Sequence, residues 1–365
     1  MISLGQALPG FGPPPSAIRA VEEALPRVDA HIYSADAGLI GLRHALCDRL
    51  ARHHQVDVSP DEVIITAGGN QAFMLAAMTV LEPRDDVLMP APYFVNHEMT
   101  IRAIGARPIE VPLREADGFA VRWSELVPHL TRRTRAVVIC TPSNPTGAVA
   151  SRDELARIAQ ELASRSIALF VDEAYMQFVY EGVFESAAAL PMWRDNVIVV
   201  GTFSKSFGMT GWRVGYMLAE RAVIDQAIKV HDAMIICAPV LSQIGAEAAI
   251  RESWSYPLLF REELMIRRRL LSEGLRAIPD VHWTPTAGGF FAFVRVAGCS
   301  DSSALAAHII EKTHVVTIPG AVFGASGEGY IRLSYGSVAQ DDLREAVGRL
   351  GEYFRIHRGP SVADS

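Results

Sequence analysis

Cysteine is scarce in this chain, and what there is lies far apart. Cys47, Cys140, Cys237 and Cys299 form no CxxC pair in 365 residues, so neither a disulfide framework nor a zinc site is expected, and a reducing cytosol suits the chain. Long apolar runs are missing too. None approaches membrane-spanning length, and Met1-Ile-Ser-Leu-Gly5 has no basic stretch ahead of an apolar core; an unexported, cytoplasmic protein with no membrane partner is expected. Positive charge is in deficit, with Lys plus Arg at 34 against Asp plus Glu at 41 and a net charge of −7. That disfavours a polyanion-binding surface and nucleic acid as a partner. Repeats and low-complexity tracts are lacking as well. With half of its residues hydrophobic, the chain has material for a large core and about two domains.

What is present is a rhythm. Apolar runs Val63-Ile-Ile-Thr66, Asp86-Val-Leu-Met89, Ala136-Val-Val-Ile-Cys140, Ile167-Ala-Leu-Phe-Val171 and Val197-Ile-Val-Val200 alternate with stretches of helical periodicity. This predicts an α/β fold, a mostly parallel sheet covered by helices. Ser151 and Glu154 form a capping-box pattern ahead of Leu155, Ile158, Ala159 and Leu162, which share one helical face. Past about residue 255 the pattern changes to a long charged helix, Phe260 to Leu275, then short strands around Gly289–Val294 and Tyr330–Ser334. A last helix carries Leu343, Ala346, Val347 and Leu350 in phase. The expected division is a large α/β domain over 35–255 and a smaller α+β domain from 1–34 and 256–358, with 359–365 a frayed tail.

The most informative segment is Thr202-Phe-Ser-Lys205-Ser-Phe-Gly208-Met-Thr-Gly-Trp-Arg213. It follows a predicted strand, with Gly201 and Gly208 expected to bound a turn, and sets an amine and then an anion clamp where open α/β sheets place ligands. Pyridoxal 5′-phosphate needs both, Lys205 for a Schiff base and a cation for the phosphate. Four more motifs end predicted strands. In Val63-Ile-Ile-Thr-Ala-Gly68-Gly69-Asn70 a glycine turn opens a helix, so amides and helix dipole converge on an anion. Ala91-Pro-Tyr93-Phe94 offers Phe94 to stack on the pyridine ring. Cys140-Thr-Pro-Ser-Asn144-Pro145 holds Asn144 in a proline-stiffened backbone, its amide available to donate. Phe170-Val-Asp172-Glu-Ala-Tyr175 ends a strand so apolar that Asp172 requires a partner. A pyridine nitrogen kept protonated by that carboxylate makes the ring an electron sink, and Tyr175 then reaches the phenolic oxygen. Each piece alone is also an ordinary connection, a core aromatic or a polar turn. Their joint occurrence is specific.

Tyr33, Gly-Gly-Asn, Pro-Tyr-Phe, Asn-Pro-Thr-Gly, Asp-Glu-Ala-Tyr, Ser-Lys-Ser-Phe-Gly-Met-Thr-Gly-Trp-Arg and Tyr-Ile-Arg-Leu-Ser-Tyr occur in that order across nearly the whole chain. In this the sequence resembles the class I/II aminotransferases of fold type I. The Met-Thr-Gly-Trp-Arg form is similar to the branch holding aspartate, aromatic and kynurenine aminotransferases. The resemblance implies a mostly parallel seven-stranded sheet between helices plus the smaller α+β domain, pyridoxal phosphate as cofactor, an L-amino acid and a 2-oxo acid as substrates, and a homodimer with shared active sites. It also implies roles. Lys205 is the Schiff-base lysine and acid/base, Asp172 pairs with the pyridine nitrogen, Tyr175 and Asn144 contact the phenolic oxygen, and Phe94 covers the ring. Gly68, Gly69, Asn70, Thr202 and Arg213 surround the phosphate, and Tyr33 reaches the phosphate of the neighbouring subunit. Arg332, with Asn144, binds the substrate α-carboxylate, for which a planar guanidinium is suited; Ala7 belongs to the first substrate-contacting loop.

The chain departs from the family in places. The N-terminal arm ahead of Leu4–Phe11 is expected to be missing or very short. Ala7 stands where many relatives have glycine and Leu8 where an acidic or polar residue is common, changes that narrow or dry the pocket. Near Val240 a hydroxyl common in relatives is lacking, which removes a second cross-subunit phosphate contact. The first loop and His31-Ile-Tyr33 offer mostly apolar or neutral side chains and no second arginine is assignable to a dicarboxylate, so the donor leans toward neutral or aromatic. His53, His54 and His97 lack partners at ligand spacing, and no metal is expected. Arg132, Arg133, Arg135 and Arg267–Arg269 read as solvated faces. Two other outcomes stay open: a carbon–sulfur β-lyase on the same scaffold and, remotely, the sensing module of a transcriptional regulator, for whose DNA-binding domain Met1 to Leu25 is too short and wrongly charged.

Overall fold

The computed structural model describes residues 1–357; the expected frayed tail, 359–365, lies outside them. The chain opens with a short strand, β1 (Ile2–Ser3), and helices α1 (Pro15–Ala24) and α2 (Ile40–His54). Strands and helices then alternate: β2 (Val63–Thr66), α3 (Gly69–Val80), β3 (Asp86–Ala91), α4 (Val95–Ala103), β4 (Arg107–Pro112), α5 (Trp123–Leu126), β5 (Thr134–Cys140), α6 (Arg152–Ala163), β6 (Ala168–Asp172), β7 (Val197–Thr202), α7 (Phe203–Ser206) and β8 (Gly215–Leu218). Two helices, α8 (Arg221–Ile235) and α9 (Val240–Glu252), complete this part.

The strands of this part form one seven-stranded sheet in the order β2-β8-β7-β6-β5-β3-β4, in which only β8 runs against its neighbours. Alternate residues of each strand point to opposite faces. Val63, Ile65, Val137 and Val171 join one core with α2, α6 and α9, while Ile64, Val87, Val138 and Phe170 join another with α3. Burial on both faces is why these strands read as continuous apolar runs. β4 and β8 escape that reading. β4 is the sheet's edge, where Pro108 and Pro112 are tolerated because one side of the strand needs no donors, and β8 is only four residues long.

The rest of the chain supplies α10 (Tyr256–Arg276), β9 (Val281–His282), β10 (Phe291–Val296), α11 (Ser302–Thr313), β11 (Val315–Val316), β12 (Ile318–Pro319), β13 (Tyr330–Ser334) and α12 (Gln340–Ile356). An antiparallel sheet, β12-β13-β10-β9, packs with α10 and α12 around a third core, and β1 pairs in parallel with β11. The N-terminal segment is shared: Leu4 belongs to this third core, whereas Ala17 of α1 is buried in the core of the large sheet, packed toward α9.

Several local expectations need correcting. Ser151 caps α6 through Glu154 N, yet the Glu154 carboxylate turns to Trp123 N, so only half of the capping box forms. Gly201 bounds no turn; it lies within β7, where a Cβ would run into the Tyr216 ring. Arg267 and Arg268 are not solvated. Arg267 donates to Glu263 at 2.8 Å and to the Gly336 carbonyl at 2.7 Å, and Arg268 to the Thr286 carbonyl at 2.7 Å.

Candidate active site

The carboxyl ends of β5, β6 and β7 meet the start of α3 at one edge of the large sheet, the position at which open α/β sheets bind ligands. A cavity of about 690 Å3 opens there. Asp172 is the last residue of β6 and Asn144 lies four residues past β5. Lys205 sits on α7, a single helical turn that Thr202 caps by accepting from Ser204 N at 3.1 Å. The lysine therefore leaves the strand on a helical turn rather than in a simple bend. Lys205, Asp172, Tyr175, Asn144, Phe94 and Arg332 all line the cavity.

One end of the cavity is a cradle for an anion. Gly69, Asn70, Thr202 and Arg213 line it, and α3 presents its first amides and positive dipole end to it. Gly68 caps α3 at φ +87°, and a Cβ there would run into the Arg213 guanidinium. Glycine is thus required twice over, by backbone conformation and by the closeness of arginine. Arg213 is itself held by the carbonyls of Thr210, at 2.8 Å, and Ala67, at 3.3 Å.

At the other end Arg332, on β13 of the small sheet, is 6 % exposed and donates to Asn144 Oδ1 at 2.8 Å and to the Gly5 carbonyl. Burial lowers its pKa to about 10, a shift Tyr175 opposes, which still leaves it charged at neutral pH. Ala7 reaches the site through its backbone, accepting a hydrogen bond from Lys205 Nζ. Burial, reinforced by Arg332 and Arg213 and opposed by Asp172, lowers Lys205 to about 8. An amine so poised is available both as nucleophile and as base. Burial likewise holds the Tyr175 phenol well above its usual pKa, so it stays protonated as a donor.

The sequence reading missed one partner. His97, set aside there for want of metal-ligand spacing, is 3 % exposed, and its Nε2 lies 3.0 Å from Asp172 Oδ2. A carboxylate can only accept, so Nε2 carries the hydrogen and donates. Asp172 Oδ1 accepts from Ala174 N at 3.0 Å. The imidazole is wedged between Phe73, with ring centres 4.1 Å apart, and Phe94, 5.3 Å away. The available signal was the spacing: Phe94 precedes α4 and His97 follows three residues later, one turn on and facing the same way.

Of the predicted residues, Gly68 stands behind the lining as the cap of α3, and Tyr33 lies away from the cavity altogether. It is 73 % exposed and borders a separate surface hollow with Ile32, Cys237 and Val240. The remaining residues fit pyridoxal phosphate. Three cationic side chains, Lys205, Arg213 and Arg332, face one carboxylate, Asp172, which suits a phosphate and a substrate carboxylate together. Asn144 Nδ2 and Arg332 Nε are buried with no partner in the protein, donors left over for a ligand. Among the described residues no cluster of His, Cys, Asp or Glu is arranged to hold a metal ion, and no helix is long and apolar enough to cross a membrane.

Comparison with known proteins agrees with this chemistry. The family described as aminotransferase class I and II matches residues 1–350. The chain is 34 % identical over 357 residues to aromatic-amino-acid aminotransferase 2 of Thermococcus litoralis, covering 96 % of this chain and 90 % of that one. It is also 34 % identical over 356 residues to an aspartate aminotransferase of Pyrococcus horikoshii, with the same two coverages. The crystal structure of an aromatic aminotransferase from Pyrococcus horikoshii superposes with a TM-score of 0.93 at 31 % identity, over 97 % of this chain and 96 % of that one. With a lysine, a buried carboxylate and an anion cradle at one sheet edge, the chain belongs to the class I and II aminotransferases of fold type I, enzymes that work with pyridoxal phosphate.

Proposed function

We propose that the enzyme takes its amino group from an L-amino acid with a neutral, apolar or aromatic side chain and passes it to a 2-oxo acid in a ping-pong cycle. The lining of the cavity carries this choice. Lys205, Arg213 and Arg332 are its cations, and each has a task at the amine, the phosphate or the α-carboxylate. No cationic side chain that this chain gives to the lining is left for a second carboxylate, and Ala7, Leu8, Ile318, Val322 and Phe323 form an apolar stretch of wall beside the neutral Gln6 and Asn96. Relatives named for aromatic amino acids and for aspartate are equally similar, so it is the apolar part of the wall that supports this donor class.

Bound pyridoxal phosphate supplies an aldehyde that takes up the donor's amino group and a ring that holds the electron pair released at its α-carbon. Arg332 and Asn144 grip the donor carboxylate, which orients the Cα–H bond toward Lys205. Lys205 Nζ, its basicity lowered by burial, removes that proton and later gives it back. Asp172, fixed by His97 and Ala174 N, would pair with the cofactor's ring nitrogen. Tyr175 and Asn144 would donate to the cofactor's phenolic oxygen, Phe94 would shield its ring from water, and Gly68, Gly69, Asn70, Thr202 and Arg213 would hold its phosphate. The exposed Tyr33 supports a homodimer in which it serves the neighbouring copy. A cytoplasmic setting and a division into a large domain over 35–255 and a smaller one over 256–357 complete the reading, with the first strand of the 1–34 segment on the smaller domain and its helix α1 on the larger.

The test is to mix loaded enzyme with single amino acids, without an oxo acid, and follow the cofactor's visible absorbance and free ammonia. Loss of the visible band with one equivalent of oxo acid and no ammonia is expected, fastest for an apolar or aromatic donor. Continuous ammonia release with the band retained would make the protein a lyase, and fastest bleaching by aspartate would overturn the donor class.

A further inference from the structure

The apolar wall is built by the loop between β12 and β13, and that loop is held by a residue outside the cavity. Ile318, Val322 and Phe323 face the cavity. Phe323 is 1 % exposed; the Arg332 guanidinium lies 5.1 Å from its ring centre, and Phe293 meets it edge to face at 5.9 Å. Phe323 therefore stands between the carboxylate site and the side-chain pocket.

Two sets of contacts hold the loop. From within, Gly320 and Gly327 pack so closely that a Cβ on either would run into the other's carbonyl. From outside, the carboxylate of Glu110 on β4 accepts from Ala325 N at 2.9 Å, Ser326 N at 2.8 Å and the Ser326 hydroxyl. Tyr93 N also donates to the Phe323 carbonyl at 3.0 Å. Gly324, at φ +108°, turns the chain between these contacts, and a Cβ there would lie 2.9 Å from Glu110 Oε2 and 3.0 Å from the Tyr93 ring. The loop belongs to the small sheet and Glu110 to the edge of the large one, so one carboxylate ties the two sheets together at the substrate pocket.

We infer that Glu110 is a positioning residue for donor selectivity: by gripping the 325–326 backbone it fixes Val322 and Phe323 as a rigid apolar wall against the donor's side chain. It touches neither substrate nor cofactor, since it does not line the cavity. Three donors converge on its carboxylate, and hydrogen bonds to a charged acceptor are the strong ones. Without them the wall shifts. A donor whose side chain fills the pocket then loses contact area, while one too short to reach the wall does not.

The inference rests on the aminotransferase reading, and loaded enzyme tests both. The half-reaction without oxo acid is measured for L-phenylalanine, L-leucine and L-alanine in wild type, Glu110→Ala and Glu110→Gln, with Tm recorded for each. Glu110→Ala is expected to raise the half-saturating donor concentration about tenfold for phenylalanine and leucine, with the saturating bleaching rate within about twofold and alanine little changed, the scale of a misfit in an apolar pocket. Glu110→Gln, which keeps an acceptor oxygen, is expected to recover part of the loss and to stand in for the alanine variant should that one fail to fold. Equal changes for all three donors, or a fall in Tm with unaltered donor ratios, would overturn the inference while sparing the proposed function. Failure of wild type to bleach with any donor would overturn the proposed function and the inference with it.

Discussion

The two ends of the cavity are made in different ways. The cofactor end is assembled from the carboxyl edge of the large sheet, and its residues sit within a few positions of buried strands: Asp172 closing β6, Lys205 and Arg213 flanking the turn after β7, Gly68 and Gly69 after β2. The donor end joins residues 5–8, the 318–323 loop and Arg332, and is steadied by Glu110 across 216 positions of sequence. One end is charged and built from short motifs; the other is largely apolar and built from distant segments. On the proposed reading, steps common to all donors fall to the first and to Arg332, and choice among donors to the apolar part of the second. Changes at the cofactor end are therefore expected to act on every donor alike, whereas changes at Glu110 divide donors by size.

The largest effect expected at the cofactor end is that of Lys205→Ala. Removing the amine takes away both the covalent partner and the proton carrier, and turnover is expected to fall at least ~10^4-fold with every donor. Circular dichroism and Tm should show the fold retained. Near-normal rates in this variant would remove Lys205 from the mechanism and erase the contrast between the two ends.

The same residue carries a pH signature in the cofactor-free protein. Lys205 is lowered to about 8 in the folded chain, chiefly by burial, against an ordinary value of about 10.4 in an unfolded one. Between those values the unfolded chain binds more protons, so stability rises with pH through that window, by at most about 3 kcal/mol. Below about 8 both states are protonated and the folded protein bears the full burden of a buried ammonium. Urea unfolding of cofactor-free wild type at pH 7.5 and 9.5, set against Lys205→Met, is expected to show an extra gain for wild type at the higher pH. A matching pH response in the two proteins would show that the amine is not strained by the fold.

The same contrast governs what could be read in the sequence. Strands buried on both faces announce themselves as apolar runs, and residues placed just after them inherit a known location; hence Lys205, Asp172, Asn144, Gly69 and Asn70 were legible, and the structure brings them to one cavity. β4 was not, because an edge strand carries prolines and a half-exposed pattern. Glu110 lies on that strand, and two of its three donors are backbone amides of residues 325 and 326, which leave no trace in residue type, while the third, the Ser326 hydroxyl, lies 216 positions away. Tyr33 was legible only through family resemblance, since a single chain leaves it on the surface.

His97 lies between these cases, and it yields the smallest effect. It belongs to the cofactor end, but it reaches Asp172 from a different element, 75 positions away, so local sequence hid the pair. Its donation steadies a carboxylate that also accepts from Ala174 N, so removing it weakens the arrangement without dismantling it. A hydrogen bond between a buried donor and a charged acceptor accounts for about a tenfold change. His97→Ala is accordingly expected to lower kcat about tenfold, by the same factor for phenylalanine and alanine, with donor KM little moved, because Asp172 acts on the ring rather than on the donor. His97→Gln, which retains an N–H donor, is expected to recover part of the rate. A loss that differs between donors of different size would place His97 in the donor pocket instead, and the boundary between the two ends would have to be redrawn through Phe94, which touches both His97 and the cavity.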